Sequence, residues 1–122
     1  MAGRSYRDLL VWQRPVDLVD AVYATSRSWP GEERFGLTNQ VRRAVVSISA
    51  NVAEGQGRER TGDFLRHLEI AHGSLYEVET HLTIASRLGY LEDAALDRLL
   101  DRTAEVGKLI HGLMRSLRPH VD

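Results

Sequence analysis

The segment from Ser47 to Arg60 reads Ser-Ile-Ser-Ala-Asn-Val-Ala-Glu-Gly-Gln-Gly-Arg-Glu-Arg. Its apolar residues continue a stripe with spacings of four, three and four residues, formed by Val41, Val45, Ile48 and Val52. This spacing places the stripe on one face of a helix. Gly57 and the charged residues after it break the pattern. The segment therefore predicts the end of a long amphipathic helix followed by a short connection.

Three further segments show helical periodicity. One begins between Leu9 and Gln13 and ends near Ser28, ahead of a Pro-Gly turn signal. The last two alternate apolar spacings of three and four residues. We predict helices at about 9–28, 37–57, 62–88 and 93–117, which make an all-α, antiparallel up-down-up-down four-helix bundle in a single domain, residues 1–122. Pro15 lies inside the first helix, so we expect a late helix start or a bend there.

The composition, 43% hydrophobic and 27% charged, is that of an ordinary globular protein. The chain has no cysteine, which excludes disulfides and thiolate zinc sites. No run of about 18 apolar residues is present, and the N-terminus lacks the apolar core of a signal peptide. We therefore expect a cytoplasmic protein that does not interact with membranes.

Net charge is −1, but its distribution is uneven. Residues 1–66 hold ten Arg and eight acidic residues, whereas residues 67–122 hold six basic and nine acidic residues. Arginine binds phosphate bidentately, so the basic half contains the candidate nucleic-acid contacts. These candidates are Arg42, Arg43, Arg58, Arg60 and Arg66. The alternative is a solvated face of arginines paired with nearby carboxylates.

Asn51 and Glu54 lie beside the apolar stripe of the second helix. A polar residue at such a position needs a hydrogen-bond partner, and Glu54 can pair with Arg58 four residues on. One interpretation is a structural hydrogen bond that locks the turn between the second and third helices. The other is a role in ligand binding or catalysis. Gly55 continues the stripe and permits close approach of a neighbouring helix.

No motif for catalysis or metal binding is complete. Glu69 and His72 form the Glu-x-x-His spacing of di-iron bundles, but those proteins need two copies, and the corresponding segment of the fourth helix has Lys108 in place of histidine. No histidine pair shows a zinc-protease spacing, and no serine lies in a nucleophile elbow. We predict a protein that is not an enzyme and uses no cofactor and no metal. A metal site at Glu69 and His72 remains the weakest alternative.

The first helix carries a second apolar stripe beside its core stripe. Together the two stripes form a face wider than a two-helix seam needs. We therefore expect the second stripe to form an oligomer interface. Its residues are Trp12, Val16, Val19 and Tyr23.

Several strings of this sequence together resemble one protein family. They are Gly36-Leu37-Thr38-x-Gln40-x-Arg42-Arg43-Ala44, Asn51-x-Ala53-Glu54-Gly55-x-Gly57-Arg58 and Gly73-Ser74-x-x-Glu77-x-Glu79. The family comprises bacterial four-helix-bundle proteins first noted as products of intervening sequences in 23S ribosomal RNA genes. The match spans about Tyr6 to Leu117. The resemblance implies that Asn51, Glu54, Gly55 and Gly73 belong to a structural motif.

The resemblance also implies a ring-like homopentamer. A related branch, the accessory variability determinant of diversity-generating retroelements, implies binding to nucleic acid and to a reverse transcriptase. This chain departs from the family at Pro15, where a small residue is usual, and at Ser49, where proline is frequent. Its slight acidity also differs from the more basic relatives. We thus expect an oligomeric bundle that binds RNA, DNA or a nucleic-acid-processing protein, with a purely structural or protein-interaction module as the alternative.

Overall fold

The computed structural model describes residues 5–121 and contains four long helices. They are α1 (Leu10–Ser26), α2 (Leu37–Gln56), α3 (Thr61–Arg87) and α4 (Asp93–Leu117). Short 3-10 turns occupy Tyr6–Asp8, Gly31–Glu33 and Arg118–His120. No β-strand occurs between residues 5 and 121. The helix ends lie within two residues of the predicted ones, because proline, glycine and charged segments interrupt each apolar pattern.

The helices pack as a closed four-membered bundle, in which each helix contacts the next along the chain and α1 also contacts α4. Side-chain contacts show that α2 and α3 are antiparallel, since Asn51 bonds His67 while the earlier Ser47 bonds the later Ser74. The short connections require this direction, because a chain that turns back within a few residues packs beside itself in reverse.

The core consists of the apolar stripes that the sequence shows. Val41, Val45, Ile48 and Val52 of α2 are fully buried. On α3 the buried residues follow the alternating three and four spacing, with Leu68, Ala71, Leu75, Val78, Leu82 and Ala85. Burial of such side chains stabilises the fold by roughly 1.5–3 kcal/mol each relative to leaving them exposed. The bundle is therefore held together mainly by these facing stripes.

Helix α1 corrects the expectation of a late start. It begins at Leu10 and continues through Pro15, whose ring is buried. Proline costs a backbone hydrogen bond and crowds the carbonyl four residues earlier. Burial of the ring against the core offsets part of that cost. Helix α2 likewise continues through Ser49, whose hydroxyl donates to the carbonyl of Val46 at 3.3 Å.

Helix α3 is followed, two residues after its last residue Arg87, by a glycine in the left-handed conformation, Gly89, with φ of +82°. The N–H of Tyr90 donates to the carbonyl of Ala85 at 2.9 Å, and the N–H of Gly89 donates to the carbonyl of Ser86 at 3.0 Å. These two bonds form a Schellman motif, which satisfies the last carbonyls of the helix. The Tyr90 hydroxyl then donates to Glu33 at 2.9 Å, which joins the α3–α4 connection to the α1–α2 connection at one end of the bundle.

Candidate nucleic-acid interface

The five candidate arginines occupy two separate regions. Arg42 and Arg43 lie in the first half of α2, whereas Arg58 and Arg60 lie in the connection to α3. About 15 residues of helix, or roughly 22 Å, separate the two regions along α2. Arg66 lies in the second turn of α3. One protomer therefore presents two basic regions rather than one continuous stripe.

Arg42 and Arg43 line a groove between α1 and α2 with a volume of about 570 Å³. A third arginine, Arg34, lines the same groove. Arg34 follows the 3-10 turn Gly31–Glu33, a segment that the sequence marks only as a connection. Because this segment has no helical periodicity, the sequence did not indicate that Arg34 lies on the same side as the arginines of α2. The groove is completed by Tyr23, Thr38, Asn39, Val46 and Ser47.

Contacts within the chain fix the side chain of Arg42. Its Nε donates to the Ser26 hydroxyl at 2.9 Å, and its Cζ lies 4.5 Å from the ring centroid of Tyr23. Such a cation–π contact orients the guanidinium without neutralising it. The side chain of Arg42 thus connects the end of α1 to the first half of α2. Its positive charge is not neutralised and faces the groove.

The groove has an excess of positive charge. Among residues 5–121, no carboxylate oxygen lies within 4.0 Å of the guanidinium nitrogens of Arg34, Arg42 or Arg43. Arg43 is exposed to solvent. Three uncompensated guanidinium groups around one groove produce a local positive potential that attracts anions, although the whole chain is slightly acidic.

The second basic region is partly neutralised. Glu54 lies 3.7 Å from Arg58 and 3.5 Å from Nδ1 of His67, measured from the same carboxylate oxygen. Arg60 and Arg66 are exposed, and neither forms an ion pair within residues 5–121. Exposed pairs such as Arg58–Glu54 contribute little stability, typically below about 1 kcal/mol.

Asn51 lies at the centre of a hydrogen-bond network between α2 and α3. Its amide nitrogen donates to the Ser47 carbonyl at 2.9 Å and to the Ser47 hydroxyl at 3.1 Å. Its side-chain oxygen lies 3.0 Å from Nδ1 of His67, which donates in the matching tautomer. The Ser47 hydroxyl also lies 2.9 Å from that of Ser74. The side chain of Asn51 thus links α2 to α3 through His67.

Sequence reasoning missed His67 as the partner of both Asn51 and Glu54. His67 is mostly buried, although it stands one position before the core residue Leu68 on α3. To pair His67 with Asn51, the axial register between α2 and α3 must be known. Periodicity within one helix does not give that register.

The two glycines of the structural motif have different surroundings. Gly55 is buried, and a Cβ atom there would lie 2.7 Å from Cβ of His67 and 2.9 Å from a ring carbon of Phe64. Gly73 is exposed, and a Cβ atom there would meet nothing within 4 Å. Packing within the chain therefore explains Gly55 and leaves Gly73 unexplained.

The residues predicted to form an oligomer interface do not share one environment. Trp12 and Val19 are partly buried against the core of their own chain, and Trp12 also packs edge-on against Tyr6 at 5.3 Å. Val16 is half-buried, whereas Tyr23 faces the arginine groove. The bundle itself thus covers part of the wide α1 face.

Glu69 and His72 are not brought together with other metal ligands. Within residues 5–121, no group of three or more His, Cys, Asp or Glu side chains has an arrangement that would hold a metal ion. Glu69 is exposed. The ring centroid of His72 lies 4.3 Å from that of His111 and 4.4 Å from that of Tyr76. Burial, and then the neighbouring His111, lower the pKa of His72 from its ordinary value.

Across the described part of the chain, none of the helices combines the length and apolar character that crossing a bilayer requires.

The fold defines the class, a four-helix-bundle protein. The chain belongs to the 23S rRNA-intervening sequence protein family, whose model matches residues 7–112. Among solved structures, it is similar to a protein of unknown function from the S23 ribosomal protein family of Bacteroides thetaiotaomicron VPI-5482. That structure has a TM-score of 0.79 and 22% identity, and the alignment covers 86% of this chain and 98% of the other. No curated protein matches the sequence.

Proposed function

We propose that this protein is a non-enzymatic helical bundle that binds RNA or DNA through the groove between α1 and α2. The observation that carries the proposal is the convergence of Arg34, Arg42 and Arg43 on one groove with no carboxylate partner among residues 5–121. Phosphate contacts from arginine dominate the affinity of proteins for nucleic acid. Arg58, Arg60 and Arg66 serve as a second, weaker contact region.

Assembly as a homopentamer in the cytoplasm is part of the same proposal. Three arginines supply few phosphate contacts in one protomer, and each contact is individually weak. A symmetric ring repeats the groove five times, so a long nucleic acid that meets several grooves gains avidity without new kinds of contact. The proposal includes no cofactor and no metal.

The test is a titration of labelled RNA and of DNA of the same sequence, followed by fluorescence anisotropy at two salt concentrations. Affinity is expected to fall steeply with salt, because binding releases counterions from the phosphates. Arg43→Gln is expected to weaken binding of all sequences and to reduce the salt slope by about one for each protomer engaged. Arg43 suits this test because it is exposed and no ion pair within the described chain depends on it.

Arg102→Gln is the matched control, since Arg102 is an exposed arginine of α4 outside the groove. Equal losses for the two variants would show that binding follows total charge and not the groove. Absence of any binding to RNA or DNA at low salt would end the proposal.

A second candidate function is a protein-interaction module without a nucleic-acid role. Helix α3 supports it with an exposed face that carries Ile70, Gly73, Ile84 and Leu88. These residues fall within one narrow sector of the helix. A small residue between exposed apolar ones permits close approach of another helix, so a second copy of this chain is the partner that this face fits.

A further inference from the structure

Phe35 is the most exposed large apolar side chain of the described residues, with 87% of its surface accessible. It is not loosely held. The preceding Glu33 accepts from the N–H of Gly36 through its carbonyl at 2.9 Å, and from the N–H of Leu37 through its carboxylate at 3.2 Å. These bonds hold the backbone on both sides of Phe35, and its ring is exposed to solvent.

Phe35 adjoins the arginine groove through Arg34, although Phe35 is not one of the residues that line it. The guanidinium carbon of Arg34 lies 5.5 Å from the Phe35 ring centroid, and Arg34 itself lines the groove. On the groove wall, Arg42 stacks over Tyr23 at 4.5 Å. Two guanidinium groups of the groove, those of Arg34 and Arg42, thus each lie against an aromatic ring.

This combination selects among anionic partners. Arginines alone attract any polyanion, including an acidic peptide or duplex DNA. Exposed aromatic faces add affinity for planar rings that can stack on them, and every base of a nucleic acid supplies such a ring. In a duplex the base faces are already stacked on each other, whereas in a single strand they are free. The surface therefore matches a chain that alternates phosphates and unpaired bases.

We infer that the α1–α2 groove recognises single-stranded nucleic acid, an inference that rests on the proposed function. One base stacks on the ring of Phe35. Arg34 and Arg43 contact the phosphates on either side of that base. Arg42 and Tyr23 form the fixed wall behind the strand. Stacking is tolerant of base identity, so the groove prefers single strands over duplexes without selecting a sequence.

The test compares a labelled single-stranded oligonucleotide with the duplex of the same sequence, using the full chain and the variants Phe35→Ala and Phe35→Trp. Phe35→Ala is expected to weaken single-strand binding about tenfold, because one base loses its stacking partner. Duplex binding is expected to stay unchanged. Phe35→Trp is expected to retain single-strand binding and to show quenching of its fluorescence by the stacked base.

Leu10→Ala is the matched control, since Leu10 is also an exposed apolar side chain but lies at the first position of α1, at the opposite end of that helix from the segment that carries Phe35. Circular dichroism and light scattering of each variant monitor folding and assembly.

The outcomes separate the two proposals. Equal affinity for single strand and duplex, with no effect of Phe35→Ala, overturns the inference and leaves the proposed function standing. No binding of either ligand removes both. A fall in oligomer mass for Phe35→Ala with unchanged affinity per protomer also overturns the inference, because the ring would then pack against a second copy of the chain.

Discussion

Gly55 shows how one residue controls the approach of two helices. It faces the first turns of α3, where an added methyl group would overlap the side chains of His67 and Phe64. Gly55→Ala is therefore expected to destabilise the fold by about 1–3 kcal/mol, the usual cost of overpacking. The measurement is urea unfolding followed by circular dichroism.

Gly73→Ala is the control for this prediction. Gly73 lies inside α3, and an added methyl group meets nothing. Because alanine favours helix over glycine, this variant is expected to gain about 0.5–1 kcal/mol. If both variants changed stability in the same direction, close packing at Gly55 would not be the controlling effect.

The contact between α3 and α4 contains His72, whose titration is linked to folding, next to the ring of His111. Burial and His111 keep the pKa of His72 below its ordinary value of 6.5. As pH falls, the unfolded chain binds this proton before the folded one does. Stability is thus expected to decrease from about pH 6.5 downward, and the His72 contribution levels off once the folded ring is also protonated.

His111→Asn tests the physical cause of this shift. It removes the neighbouring positive charge that opposes protonation of His72, so the pKa of His72 is expected to rise. Burial, the larger cause, remains, and the rise is therefore partial. The measurement is an NMR titration of the imidazole C–H signals. His120→Asn is the control, since His120 is exposed and lies beyond α4. This variant is expected to leave the pKa of His72 unchanged.

At the scale of the whole molecule, the exposed α3 face determines whether protomers associate through helix packing. Ile84→Asp is expected to lower the oligomer mass measured by light scattering, because a carboxylate buried between protomers loses its hydration. Leu10→Asp is the control, since Leu10 is similarly exposed but lies at the first position of α1, where a carboxylate is favourable.

An unchanged mass for Ile84→Asp would exclude this face as the contact between copies. The predicted interface of Trp12, Val16, Val19 and Tyr23 would then be the next surface to examine. Its partial burial within the chain limits the area that it offers to a partner.

The sequence alone was sufficient to predict four helices and their ends, because helical periodicity and its interruptions are local properties of the chain. It also identified the core stripes. Pro15 was the exception. Local rules predicted a late start or a bend, and the late start is wrong, because the helix begins five residues before the proline, whose ring is buried.

Only the tertiary structure decided which side chains from different elements meet. It joined Asn51 and Glu54 to His67, added Arg34 to Arg42 and Arg43, and left Arg58 and Arg60 at the other end of α2. It also showed that Phe35 is exposed and lies against Arg34. The physical reason is that periodicity specifies which face of a helix is buried, whereas the axial register and rotation between helices depend on how all four pack at once.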